Sequence, residues 1–237
     1  MGTKNIVVLH GWQANRNKLD PLVTYLRKNN WNVFFPILPG FDGVELKKAY
    51  KLDDFVLMVE SECKKKFMGE KYFIFGHSFG GRIAVKLAVS DKKLSGLILC
   101  ASGGFSRGKL QKRILLYFFA KIGKLFMVYP PLGMWFKKVL YKLAREHDYE
   151  KTSGLFRDTF KNIISENLKT HFKNIDIPTL ILWGRRDRMT PFEDAVLINN
   201  NIRNSSLVDY KNEGHTLPYV RSEELVKEIE LWYQRIS

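Results

Sequence analysis

Six short apolar runs recur along the chain, near residues 5–9, 32–36, 71–75, 96–100, 179–183 and 206–210. Stretches with helical spacing lie between and after them, near 17–29, 49–67, 79–90, 192–200 and 221–235. Strands of this length, alternating with helices, predict a parallel sheet with helices on both faces. Thr179-Leu180-Ile181-Leu182-Trp183 is apolar at nearly every position and reads as a buried strand. The rhythm breaks from about 105 to 171, where 14 Lys and Arg stand against 5 Asp and Glu, with 12 aromatic residues among them. Within that span Ile114 to Phe136 is apolar, but Lys121, Lys124, Pro130, Pro131 and Gly133 interrupt it. A membrane span needs about 20 mostly apolar residues, so a crossing is not expected. The pattern instead predicts an amphipathic helical lid. Most of its aromatics, such as Phe118, Phe119, Phe126, Trp135 and Phe136, would form its own packing core, and some would line an apolar pocket. The expected organisation is a core of residues 1–104 and 172–237 with a cap over 105–171.

Composition narrows this only a little. A chain of 237 residues can form one domain with a large core, and 45% hydrophobic residues is ordinary for a soluble protein. The net charge of +15 raises nucleic acid and anionic lipid as partners. No nucleic-acid-binding module is recognisable, so nucleic acid is not expected, and the lysines read first as a solvated surface. Docking of a lid helix on anionic lipid is the weaker expectation. Cys63 and Cys100 form neither a metal-ligand pattern nor a disulfide framework and are expected to be free thiols. The first residues enter a strand directly, without the succession of a signal peptide, which points to the cytoplasm. The chain is expected as a monomer or homodimer.

The chemistry is concentrated at strand ends. Gly76-His77-Ser78-Phe79-Gly80-Gly81 follows the apolar run Tyr72 to Phe75 and precedes a helical stretch. A G-x-S-x-G in a strand–turn–helix setting lifts a serine hydroxyl clear of the sheet. Gly76 and Gly80 are small there because strand and helix nearly touch. Asp187 lies in the polar loop after strand 179–183, which Pro191 closes at a helix start. His215 lies in the loop Asn212-Glu213-Gly214-His215-Thr216 after strand 206–210. Among the other histidines, His10 and His77 belong to motif turns, His77 as a structural part of the elbow, while His147 and His171 fall in the expected lid. Among the other acids, Asp194 falls inside a helix and Asp209 inside a strand. The end of strand 96–100 continues as Ala101-Ser102-Gly103, with no carboxylate. Arg185, Arg186 and Arg188 beside Asp187 read as solvated or paired with surface acids. The strand 5–9 runs into His10-Gly11-Trp12, where Gly11 lets the backbone come close.

Together, His10-Gly11-Trp12, the Gly76–Gly81 elbow, Trp183-Gly184-Arg185 with Asp187, and Gly214-His215 resemble the α/β-hydrolase superfamily, specifically its small capped members. The order serine, acid, histidine is that of the superfamily. The resemblance covers nearly the whole chain and is weak between about 105 and 170. It implies an α/β-hydrolase fold with about six strands, all parallel, lacking the antiparallel hairpin with which many members begin. It implies Ser78 as nucleophile, His215 as general base, Asp187 as its orienting acid, and the main-chain N–H groups of Phe79 and Trp12 as oxyanion donors. Serine rather than aspartate in the elbow points away from haloalkane dehalogenase and epoxide hydrolase chemistry. The expected activity is hydrolysis of small to medium apolar carboxylic esters or lactones through an acyl-enzyme, with no metal or organic cofactor. Rivals are a meta-cleavage-type carbon–carbon hydrolase, an amidase or iminopeptidase, and a non-catalytic ligand receptor. The first usually carries tryptophan directly after the histidine, where this chain has Thr216.

Overall fold

The computed structural model describes residues 3–12, 16–105 and 146–237, and for 146–153 the backbone alone. Among the described residues, six strands form one sheet: β1 (Lys4–Leu9), β2 (Trp31–Phe34), β3 (Tyr72–His77), β4 (Leu94–Cys100), β5 (Thr179–Gly184) and β6 (Ser205–Tyr210). The sheet order is β2-β1-β3-β4-β5-β6, and every neighbouring pair is parallel. The helices are α1 (Asp20–Lys28, after a 3₁₀ turn at Arg16–Leu19), α2 (Leu52–Phe67), α3 (Phe79–Ser90), α4 (Glu146–Ser165), α5 (Lys169–Phe172), α6 (Phe192–Asn201), α7 (Leu217–Val220) and α8 (Ser222–Ile236). The lid expected over 105–171 falls largely outside the described residues, as do the five aromatics named for it.

Burial along the strands follows from their rank in the sheet. Interior strand β5, paired on both sides, is buried at all six positions, whereas edge strand β6 is mostly half-buried. A central parallel strand has both faces covered and therefore needs a continuous apolar run. Side chains of period two divide the core. Ile6, Val8, Phe75, Ile98, Leu180 and Leu182 meet Leu22 and Leu26 of α1 and Leu225, Ile229 and Trp232 of α8 on one face. On the other, α3 packs against β1, β3 and β4, with α2 beside it. The spacing of Leu22, Val23 and Leu26, and of Leu225, Val226, Ile229 and Trp232, gives each helix one apolar stripe. Charges suit the helix dipoles: Asp53 and Asp54 begin α2, and Lys64 to Lys66 end it.

The chain divides into two compact units, Met1–Val44 with Leu52–Phe105 and Asn167–Ser237, and Glu45–Lys51 with Ser106–Glu166. In the second unit Tyr50 N–H donates to Thr159 Oγ1 at 3.0 Å, and Asn162 Nδ2 donates to the Tyr50 carbonyl at 3.2 Å. These bonds fasten residues 45–51 to α4. No helix among the described residues is long and apolar enough to cross a membrane.

The first unit holds the sheet. After β1 the chain crosses to β2 on one side, and β3 then returns to β1's other side. The connections leaving β1 and β3 therefore diverge, and such a switch point opens a crevice beyond the C-terminal strand ends.

Trp232 anchors α8 to the sheet. It is 4% exposed, and its ring meets Phe73 edge-on at 5.9 Å. Trp232→Ala is expected to lower stability by about 3–5 kcal/mol. Urea unfolding should show the midpoint falling with little change in slope.

Candidate active site

The turn at Ser78 is built from close approaches. A β-carbon on Gly76 would lie 2.6 Å from the Cα of Gly81, and one on Gly80 would lie 2.5 Å from the Leu9 carbonyl oxygen. Gly81 is as tightly placed, because a β-carbon there would lie 2.2 Å from Ser102 Oγ. Between strand and helix Ser78 adopts φ 53 and ψ −108. A non-glycine residue at such angles carries about 1–3 kcal/mol of strain and persists only where its surroundings hold it. Two bonds to the end of β4 do so: Ser78 N–H donates to the Cys100 carbonyl and Gly103 N–H to the Ser78 carbonyl, both at 3.2 Å.

The acid loop leaves β5 at Gly184, where a β-carbon would meet the Glu213 carbonyl oxygen at 2.4 Å. Arg186 N–H donates to that same carbonyl at 2.9 Å, joining the loop to the segment that bears His215. Asp187 then turns inward, its side chain fully shielded from solvent. Its Oδ1 accepts the N–H groups of Met189 (2.8 Å) and Thr190 (2.9 Å). Its Oδ2 lies 2.8 Å from both Thr190 Oγ1 and His215 Nδ1. Asp209 is engaged elsewhere, hydrogen-bonded to Arg185, whose guanidinium holds that carboxyl below its usual range. Asp194 is buried in the first turn of α6.

His215 connects the acid to the elbow. A carboxylate can only accept, so Nδ1 carries the proton and Nε2 presents its lone pair. That Nε2 lies 3.0 Å from Ser78 Oγ, so the hydroxyl donates to it. The structure thus brings Ser78, His215 and Asp187 into one hydrogen-bonded line. Chemically, such a line can withdraw the serine proton while the buried carboxylate stabilises the charge that develops on the imidazole.

The β1 loop is held at the same place. Gly80 N–H donates to the His10 carbonyl at 3.1 Å. A β-carbon on Gly11 would lie 3.0 Å from His77 Nδ1 and 3.3 Å from Ser78 Cβ. The Trp12 ring packs edge-on against Phe79 at 5.3 Å and Phe41 at 5.1 Å. Phe79 opens α3, so its N–H belongs to the first turn, whose donors lack an intrahelical acceptor.

Two participants escape the sequence reading. Thr190 bonds to Asp187, and its Oγ1 also lies 3.1 Å from the Ala101 carbonyl. Tyr219 places its hydroxyl 3.1 Å from His77 Nδ1. Thr190 had a local cue, three residues beyond the acid and just before Pro191. Tyr219 had none, because a tyrosine in a short helix carries no motif.

The model of the Alpha/beta hydrolase family matches residues 6–228. Among curated proteins, the chain is 26% identical to AB hydrolase superfamily protein YisY of Bacillus subtilis, covering 93% of this chain and 88% of that one. It is 24% identical to a proline iminopeptidase of Saccharolobus solfataricus, covering 90% and 79%. Among solved structures, an esterase from Exiguobacterium antarcticum superposes with a TM-score of 0.71 at 21% identity, covering 97% of this chain and 91% of that one.

Burial keeps two histidines near the site neutral. Desolvation, and secondarily the neighbouring His215, press the His77 imidazole well below its ordinary value of 6.5, and desolvation lowers His10 as well. Below about pH 6.5 the unfolded chain binds protons at these positions that the folded chain refuses, so stability falls as pH falls, by up to about 1.4 kcal/mol per pH unit for each group. Urea unfolding between pH 7 and pH 5 should show this loss, and His77→Gln should flatten the slope. An unchanged slope in the variant contradicts the burial argument.

Proposed function

Because the chain belongs to the alpha/beta hydrolase family, we propose that it is a serine hydrolase of carboxylic esters with small to medium apolar acyl groups. The observation that carries this reading is the single line of contacts at His215, with Nε2 3.0 Å from Ser78 Oγ and Nδ1 2.8 Å from Asp187 Oδ2.

The reaction follows from that line. His215 takes the Ser78 proton on Nε2 as Oγ attacks the ester carbonyl. The main-chain N–H groups of Phe79 and Trp12 receive the oxyanion. The tetrahedral intermediate collapses, and the C–O bond to the alcohol breaks. His215 returns its proton to the departing alcohol, leaving an acyl-enzyme on Ser78. A water molecule gives a proton to His215 and attacks the acyl carbon, and the second collapse frees the acid and restores the Ser78 hydroxyl. Asp187 remains ionised throughout.

Preference for apolar acyl groups is supported by the buried rings of Trp12, Phe41 and Phe79 beside the elbow. Each acyl methylene that the site buries contributes about 0.8 kcal/mol, roughly fourfold in kcat/KM. The same machinery also cleaves amides, and the iminopeptidase similarity makes that the second reading.

A panel of p-nitrophenyl esters of graded chain length, run beside matched anilides, tests the class. Esters should be turned over faster, with kcat/KM rising along the series. Anilides cleaved faster than esters would replace the ester reading with the amidase one. Ser78→Ala should lose on the order of 10⁴-fold or more in kcat. Asp187→Asn should lose roughly 10⁴-fold, since the amide holds His215 in the wrong tautomer. Full activity in Asp187→Asn with loss in Asp209→Asn would move the acid to the other carboxylate.

A further inference from the structure

His77 precedes Ser78 and is buried, with one ring nitrogen facing the His215 carbonyl oxygen at 3.0 Å and the other facing the Tyr219 hydroxyl at 3.1 Å. A carbonyl only accepts, so Nε2 must carry the proton and donate it to His215. The neutral ring then offers its Nδ1 lone pair to the Tyr219 O–H. Burial holds the Tyr219 phenol well above its usual range, which keeps that donor protonated. The bonds run in one direction, from the Tyr219 hydroxyl through the His77 ring to the His215 carbonyl.

Tyr219 lies four residues beyond His215, in α7. Leu217 N–H donates to the Gly214 carbonyl at 3.1 Å and Tyr219 N–H to the Thr216 carbonyl at 2.9 Å, so the segment is already a compact turn. The His77 ring therefore grips that turn at two points. On its other side the turn is held by the acid loop, through Arg186 N–H and the Glu213 carbonyl. The His77 and His215 rings lie 5.0 Å apart between centroids.

We propose that His77 and Tyr219 are positioning residues: as one hydrogen-bonded clamp they fix the His215 backbone to the residue before Ser78, so that Nε2 stays on the serine while Nδ1 stays on Asp187. The inference rests on the serine-hydrolase reading and adds to it. Because the clamp starts from the residue next to the serine, base and serine shift together. The clamp touches neither substrate nor reacting atom, so its loss acts through the alignment of His215.

The test compares wild type with His77→Leu, His77→Gln, Tyr219→Phe and the double variant His77→Leu/Tyr219→Phe. The readouts are the rate of covalent labelling by a fluorophosphonate and the separate kcat and KM for a p-nitrophenyl ester. His77→Leu should lower the labelling rate and kcat by about 10²-fold, with KM within about threefold, since misplacement of a reacting group by about 1 Å costs that much. Tyr219→Phe should lose about tenfold, and the double variant no more than His77→Leu alone, because the two act as one unit. His77→Gln should regain most of the rate, its side-chain amide reaching the same carbonyl. Equal losses in His77→Gln and His77→Leu, losses confined to KM, or wild-type labelling in folded Tyr219→Phe would each overturn the proposal. Should His77→Leu fail to fold, Tyr219→Phe and ¹⁵N-imidazole NMR of the wild type decide it. The clamp requires the proton on His77 Nε2, and a proton on Nδ1 instead overturns it. Labelling that persists in Ser78→Ala defeats the serine reading itself, whereas normal Ser78 labelling with unaffected clamp variants defeats only this inference.

Discussion

Between Gly76 and Gly81 the sheet and helix α3 come so close that no β-carbon fits at Gly76, Gly80 or Gly81, and the other features of the site depend on that approach. It forces the chain through a tight reversal at Ser78, whose φ of 53 is strained for any residue but glycine. It also brings the β1 loop against the helix start, where Gly80 N–H bonds to the His10 carbonyl. A single steric constraint thus raises the serine, leaves the Phe79 N–H without an intrahelical acceptor and places the Trp12 ring beside Phe79.

The end of β4 is the hub that joins this turn to the rest of the site. The Cys100 carbonyl holds Ser78 N–H, Gly103 N–H holds the Ser78 carbonyl, and Ala101 N–H bonds to the Leu182 carbonyl of β5. The Ala101 carbonyl in turn meets the Thr190 hydroxyl, which also contacts the Asp187 carboxylate. Serine and acid are therefore both referred to one four-residue stretch, Cys100 to Gly103. The histidine loop is attached to the acid loop through Glu213 and Arg186 and to the elbow through His77. Each residue of the line comes from a different strand end, yet short backbone bonds connect all three segments.

What the sequence made legible, and what it hid, follows from the range of the interactions. The six strands and five of the six longer helices lie within a few residues of their expected places, because local apolar periodicity decides them; the sixth, α4, falls in the span read only as a helical lid. The helix expected from 49 starts at Leu52, since Tyr50 is bonded instead to Thr159 and Asn162 of α4. Short α5 and α7 were invisible, as four-residue helices have no period to detect. Ser78, Asp187 and His215 stood out because each lies in a glycine-bearing turn after a strand. Thr190 and Tyr219 did not, because their significance lies in contacts made only when distant segments meet. His77 is legible only as part of the elbow; its bond to a carbonyl 138 positions away is a property of the fold.

The central claim is that these contacts make Ser78 a nucleophile that becomes acylated. Rapid-quench mass spectrometry of the intact protein during turnover of a p-nitrophenyl ester tests it most directly. The account predicts a transient mass gain equal to the acyl group, at one per chain, with peptide mapping placing it on Ser78. Turnover with no such adduct, or with the acyl group on another residue, would contradict it.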